Sequence, residues 1–140
     1  MAEKTFNQDF IGYRLKSGLK TLSTDSGVYG VYRCVYDNDK DTVSLKQLLY
    51  IGKADELKDR MNNHENFDDC KKYLKADEEL CFCYTFVDAN NNERVEATLI
   101  NSNQPPVNIE YKNAFPFDKT IVNCTGKHKF IKSVNIVNRH

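Results

Sequence analysis

Two runs of β-forming residues separated by a short polar turn constrain this chain more than any other feature. GVYGVYRCVYD, residues 27 to 37, is rich in Val and Tyr and follows the turn-like STDSG, and SLKQLLYIG, residues 44 to 52, resumes an apolar run after the polar DNDKDT. Val and Tyr suit a pleated, half-buried surface, and so short a connection joins neighbouring strands antiparallel. The two runs read as a β-hairpin.

The next residues read as its covers and its third strand. Asp55 is placed to cap a helix from about Glu56 to about His64, and a second helical stretch over residues 68 to 76 puts Cys70, Tyr73 and Leu74 at a 3–4 spacing. LCFCYTFVD, residues 80 to 88, has the near-continuous apolar character of a central strand covered on both faces. DANNNERVEATLINSN then carries Val95, Leu99 and Ile100 on one helical stripe, stopped by Pro105 and Pro106. The implied fold is α/β (α+β): a small three-stranded antiparallel sheet flanked by helices. TIVN at 120 to 123 and FIKSVNIV at 130 to 137 read as edge strands or extended tail. The division is an N-terminal extension at 1–26, the main body at 27–110, and a basic C-terminal extension at 111–140 packing on or beside it.

At 140 residues the chain has material for one core, and no repeat divides it. It has neither an apolar run near 18 residues nor a charged-then-apolar leader, so the expectation is a cytoplasmic protein that does not enter a membrane. Five cysteines occur without a CxxC pair or a cysteine–histidine ligand spacing, which reads as free thiols; Cys81 and Cys83 share one face of a strand as small hydrophobes. Net charge is zero but unevenly spread: residues 21 to 110 carry ten basic and seventeen acidic side chains, whereas 111 to 140 carry Lys112, Lys119, Lys127, Lys129, Lys132 and Arg139 against Asp118 alone. That tail is either solvated surface or a polyanion-binding edge.

Some residues do not suit a plain core. Arg60 and His64 fall on the stripe of Leu57 and Met61, and Glu96 is the one charged member of the face formed by residues 95, 96, 99 and 100. A partly buried carboxylate needs either an internal cation from Lys or Arg or a divalent metal. Tyr29 and Tyr50 sit on the two hairpin strands, where a suitable register projects both phenols to one surface. Two phenols, a guanidinium, an imidazole and a carboxylate are the inventory for phosphodiester hydrolysis.

Residues 27 to 108 resemble the GIY-YIG nuclease family. Gly27-Val28-Tyr29 resembles the first half of its signature, Tyr50-Ile51-Gly52 is a literal second half, and Lys53-Ala54 is similar to the continuation seen in many members. Arg60 stands eight residues after that glycine, and Glu96 and Asn108 in EATLINSNQPPVN match the glutamate helix and closing asparagine. His64 is typical of the stand-alone, restriction- and homing-like branches; the excision-repair branch commonly has an aromatic residue there. GVYGVY also offers Tyr32 as an alternative signature tyrosine.

The resemblance implies a metal-dependent endonuclease acting on DNA. Glu96 would hold Mg²⁺ or Mn²⁺, and Arg60 would clamp phosphate oxygens. Tyr29 would take a proton from the attacking water through a lowered pKa, with His64 the alternative acceptor. Tyr50 and His64 would position groups, Lys53 would supply positive charge, and Asn108 would orient the loop or Glu96. The rivals are a repair or structure-specific nuclease using the same residues and a noncatalytic nucleic-acid-binding module. So small a domain would either act alone, as stand-alone restriction-type and phage members of the family do, or depend on oligomerisation to cleave both strands.

Overall fold

The computed structural model describes residues 2–140, with His64 described by its backbone alone. The strands are β1 (Lys4–Leu15), β2 (Gly27–Asp37), β3 (Thr42–Ala54), β4 (Glu79–Phe86), β5 (Thr120–Gly126) and β6 (Val134–Val137), and the α-helices are α1 (Leu57–Asn62), α2 (Asp68–Lys71) and α3 (Asn92–Asn103). Two 3₁₀ helices, Lys16–Thr21 and His64–Phe67, lie between them.

The hairpin forms as β2 and β3 in a register that sets Gly27 opposite Ala54, Tyr29 opposite Gly52 and Val31 opposite Tyr50. β4 joins β2 antiparallel with Tyr84 opposite Tyr29. These are the three anticipated strands. The sheet does not stop there: its order is β3-β2-β4-β1-β5-β6, six strands rather than three. β1 lies antiparallel to β4 and parallel to β5, from Lys4 opposite Thr120 to Phe10 opposite Gly126, and β6 adds antiparallel to β5. The physical reason is an edge problem. An apolar β4 left at the rim would expose unpaired backbone groups, and β1 covers them. Gln8, buried on β1, secures the join through its Nε2, which donates to Thr85 Oγ1 and Phe86 O, each at 2.9 Å. Segments on both sides of residues 27–110 therefore enter one sheet.

Each face of the sheet has its own core. On one, Leu19 and Leu22 with Leu57, Met61, Phe67 and Cys70 pack against Tyr29, Val31, Leu49, Phe82 and Tyr84. On the other, Val95, Leu99 and Ile100 of α3 pack against Val28, Tyr32, Ile51, Cys81, Cys83 and Val122. α3 is buried beyond its anticipated stripe, because β5 and β6 enclose a second side of it. Arg94 is 5% exposed and donates to Thr120 Oγ1 at 2.7 Å and to the carbonyls of Ala2, Asp118 and Lys119.

The first helices are shorter than their patterns imply. α1 ends at Asn62, and Asn63 turns to φ −85°, ψ 100°, so His64 opens a separate 3₁₀ turn and does not share a helical stripe with Arg60. Asp55 is not the cap: Glu56 holds that position, while the Leu57 and Lys58 N–H groups donate to the carbonyls of Asp25 and Ser23 at 3.0 and 3.2 Å. The preceding loop thus satisfies donors that a side-chain cap would otherwise take. Asp55 Oδ1 instead accepts from Asn92 Nδ2 at 3.2 Å. α2 has four residues, and Tyr73 beyond it is largely exposed. All five cysteines are free and buried. No helix among the described residues is long and apolar enough to cross a membrane.

Candidate active site

The hairpin pleat turns Tyr29 and Tyr50 to the same surface as diagonal neighbours, with ring centroids 6.3 Å apart. Two signature glycines make this possible. A Cβ on Gly52 would come within 2.4 Å of the Tyr29 ring and hydroxyl, and one on Gly27 would meet Thr85 O at 2.1 Å and Leu57 Cδ1 at 2.9 Å. Bare backbone at both points lets the tyrosine lie flat and α1 close onto β2.

Beside these strands opens a cleft of about 590 Å³ whose lining includes Tyr50, Lys53, Arg60, Glu96 and Asn108. Tyr29 is 1% exposed, packed against Tyr50 and edge-on to Phe67. The side chain of His64 lies outside the described residues. Tyr32 belongs to the other face, where its hydroxyl donates to Lys129 O at 2.7 Å and its ring meets Tyr13 edge-on. Of the two candidate signature tyrosines, Tyr29 is the one set among Tyr50, Arg60 and Glu96.

Asn108 acts as a backbone mimic. Its Oδ1 accepts from Ile51 N and its Nδ2 donates to Ile51 O, both at 2.9 Å, while Val107 N donates to Leu49 O at 3.0 Å. The loop after α3 is thereby zipped to β3 on either side of Tyr50. Arg60 sits at the end of α1, where Asn66 Nδ2 donates to its carbonyl at 3.0 Å.

The electrostatics of the cleft are strained. Glu96, 8% exposed, has its carboxyl pushed up to about 7, chiefly by burial; Lys53 opposes this, while Glu93 and Glu110 add to it. Among the described residues no Lys or Arg closes an ion pair with Glu96. An internal ion pair therefore does not account for its position. Burial likewise raises the Tyr29 phenol above its ordinary range; Tyr50 and Glu96 reinforce the rise and Arg60 opposes it. This is the reverse of the lowered phenol that the resemblance implies. In the protein alone, desolvation outweighs the one nearby guanidinium.

No three His, Cys, Asp or Glu side chains among the described residues gather into a metal-ligand cluster. That leaves the arrangement magnesium ordinarily accepts, one carboxylate completed by water and substrate phosphate, and Glu96, a buried carboxylate with no Lys or Arg ion pair among the described residues, fits it.

The cleft also holds residues that the sequence did not single out: Asn66, Asp69, Glu93, Ile109, Glu110 and Tyr111. Tyr111 hydrogen-bonds Glu93 through its hydroxyl, tying the 109–111 loop to the first turn of α3. Glu93, three residues before Glu96 on one helix, carried a readable signal in that spacing; the others reach the cleft by tertiary proximity.

A model of the GIY-YIG catalytic domain matches residues 28–110. The chain belongs to the GIY-YIG family. Among curated proteins it is similar to UvrABC system protein C of Rickettsia canadensis (strain McKiel), 38% identical over 78 residues, covering 53% of this chain and 12% of that protein. It is also similar to UvrABC system protein C of Wolbachia sp. subsp. Brugia malayi (strain TRS), 30% identical over 106 residues, 72% of this chain and 16% of that protein. The chain thus matches only a small part of the length of these relatives. No solved structure matches it significantly. The GIY-YIG match spans β2, β3, β4 and α3 together with the cleft they build, and leaves β1, β5 and β6 outside it.

Proposed function

We propose that this GIY-YIG protein is a divalent-metal-dependent DNA endonuclease, with DNA phosphodiesters cut in the cleft. The observation that carries the reading is the convergence of Tyr50, Arg60 and a buried Glu96 at one opening, with Tyr29 packed against Tyr50, from four different elements.

In this reading Glu96 holds Mg²⁺ or Mn²⁺, which when bound supplies Lewis-acid stabilisation of charge developing on the phosphate oxygens. Arg60 offers its planar fork to a non-bridging oxygen pair, a geometry a lysine lacks. Tyr29, held rigidly by Gly52 and Phe67, directs the attacking water. To accept a proton its phenol must lose its own, and Arg60 is the neighbour that draws it that way. Tyr50, packed on Tyr29, would position the water and that phenol, Lys53 tempers the charge of Glu96, and Asn108 holds the rim. His64 is retained as the alternative acceptor from its place in the sequence. The basic 111–140 segment is read as a further contact to DNA. A DNA substrate places this work inside the cell.

The test is purified protein with Mg²⁺ or Mn²⁺ on supercoiled plasmid beside Glu96→Ala and Tyr29→Phe. Relaxed or linear product from the wild type alone supports the reading, and equal cleavage by all three removes the site assignment. A structure-specific repair nuclease is the second reading, supported by the similarity to UvrABC system protein C. Preference for branched or damaged substrates over plain duplex would select it. The restriction- or homing-like reading rests on His64. Binding without cleavage of any substrate would point to a noncatalytic module.

A further inference from the structure

A second surface lies on the face that carries Tyr32, away from the cleft. The end of β5 and the loop leading to β6 read TGKHKFIK, residues 125 to 132, and the loop backbone is held by hydrogen bonds to several elements. Lys129 N donates to the Tyr13 hydroxyl at 2.9 Å, Tyr32 donates to Lys129 O at 2.7 Å, and Lys127 N donates to Phe10 O at 2.9 Å. Lys132 N donates to Asn103 Oδ1 at 2.9 Å and its Nζ to Ser102 O at 2.8 Å, fastening the loop to the last turn of α3. Ile131 is buried, yet the neighbouring Phe130, at φ 66°, is 49% exposed. Lys129 Nζ lies 5.5 Å from the centre of its ring.

Two grooves of about 710 and 410 Å³ meet at this loop, sharing Tyr13 and Lys127. Arg14 lines the larger. Its guanidinium donates to Gly18 O and Thr21 Oγ1. The carboxylates nearby are engaged: Asp9 accepts from Thr125 and Asp41 from Tyr36. A half-exposed aromatic ring backed by Tyr32, with ring centroids 6.4 Å apart, and flanked by two lysines on a hydrogen-bonded backbone is an arrangement for stacking one base and holding the adjoining phosphates.

We infer that the 127–130 loop is a binding site for single-stranded DNA, with Phe130 the stacking platform and Lys127 and Lys129 the phosphate contacts. A base inside a duplex is already stacked and paired, so the ring selects unpaired nucleotides. The loop is tied to the end of α3 while Glu96 sits in its second turn, about 10 Å away along the helix at the usual rise. The inference rests on the nuclease reading only in taking nucleic acid as the ligand.

The experiment uses full-length Glu96→Gln protein in chelator, titrated onto a fluorescent 15-nucleotide oligo-dT and onto a blunt duplex of the same length. Phe130→Ala is expected to weaken single-strand binding about tenfold with under threefold effect on duplex, and Phe130→Trp to restore it. Lys127→Glu with Lys129→Glu is expected to weaken binding and lower the slope of log K against log salt by about 1.4, two phosphates at about 0.7 each. Single-strand affinity within twofold of the parent for both variants overturns the inference. So does an equal loss on duplex, or a silent Phe130→Ala beside a damaging charge reversal, since either makes the loop a general polyanion surface. Plasmid nicking by the wild type is scored separately: nicking with an indifferent loop removes this inference alone, and loop-dependent single-strand binding without nicking removes the nuclease reading alone.

Discussion

The Tyr29 ring occupies the space where a side chain at residue 52 would stand, with its Cζ and Oη 2.4 Å from a Cβ built on Gly52. The two residues face each other across the hairpin, so the shape of one strand fixes the posture of the tyrosine on the other. Gly52→Ala is therefore expected to displace Tyr29 and Tyr50 together. Overpacking of this kind costs about 1–3 kcal/mol, and misplacing a reacting group by about 1 Å costs on the order of 100-fold in rate. Urea denaturation and plasmid cleavage measure the two effects, and full activity would detach Tyr29 from the chemistry.

The two tyrosines of GVYGVY should separate cleanly. Tyr29→Phe is expected to lower cleavage by about 10²–10⁴-fold with the fold intact, the range of a lost proton-transfer group. Tyr32→Phe removes the bond to Lys129 O on the other face and is expected to cost about 1 kcal/mol while leaving the cleavage rate unchanged. The reverse pattern in a paired rate and melting measurement would exchange their assignments.

Asn108 satisfies both backbone groups of Ile51 in a buried setting. Asn108→Ala orphans a donor and an acceptor and is expected to destabilise the protein by about 2–4 kcal/mol, and Asn108→Asp, which sets a buried carboxylate against Ile51 O, by at least as much. A denaturation midpoint unmoved by the alanine variant would show that water replaces the side chain at no cost.

Arg33 and Glu78 form a 2.6 Å ion pair. The Glu78 carboxyl is held below its usual range by a hydrogen bond from Lys75 N, with Arg33 acting in the same direction. A depressed folded-state pKa stabilises above the ordinary carboxylate pKa, and that stability is lost as pH falls through the lowered one. Wild type is thus expected to melt above Glu78→Gln at pH 7 and to converge with it toward pH 3. A gap in melting temperature that persists unchanged at pH 3 would assign the difference to packing.

The hairpin, the central β4, the glutamate helix and the cleft set Tyr50, Lys53, Arg60, Glu96 and Asn108 were all legible in the chain, because each rests on local pattern or fixed spacing. β1 was not, since its partner β5 is more than a hundred residues away and neither strand's alternation names the other. The break after Asn62 was also hidden. Leu57 and Met61 set a helical period that the 3₁₀ turn at His64 does not continue, because the pull on that turn comes from Phe67 packing under Tyr29.

Sequence alone determined the strand order of the hairpin, the candidate site side chains and the glycines between them, since pleat alternation and bare backbone are written residue by residue. Tertiary structure decided which signature tyrosine packs against Tyr50 beside the cleft, that no Lys or Arg among the described residues forms an ion pair with Glu96, that Glu93 and Glu110 crowd it, and that both ends of the chain complete the sheet. Those outcomes depend on distances between residues far apart in the chain, and burial and Coulomb interaction act through distance rather than sequence position.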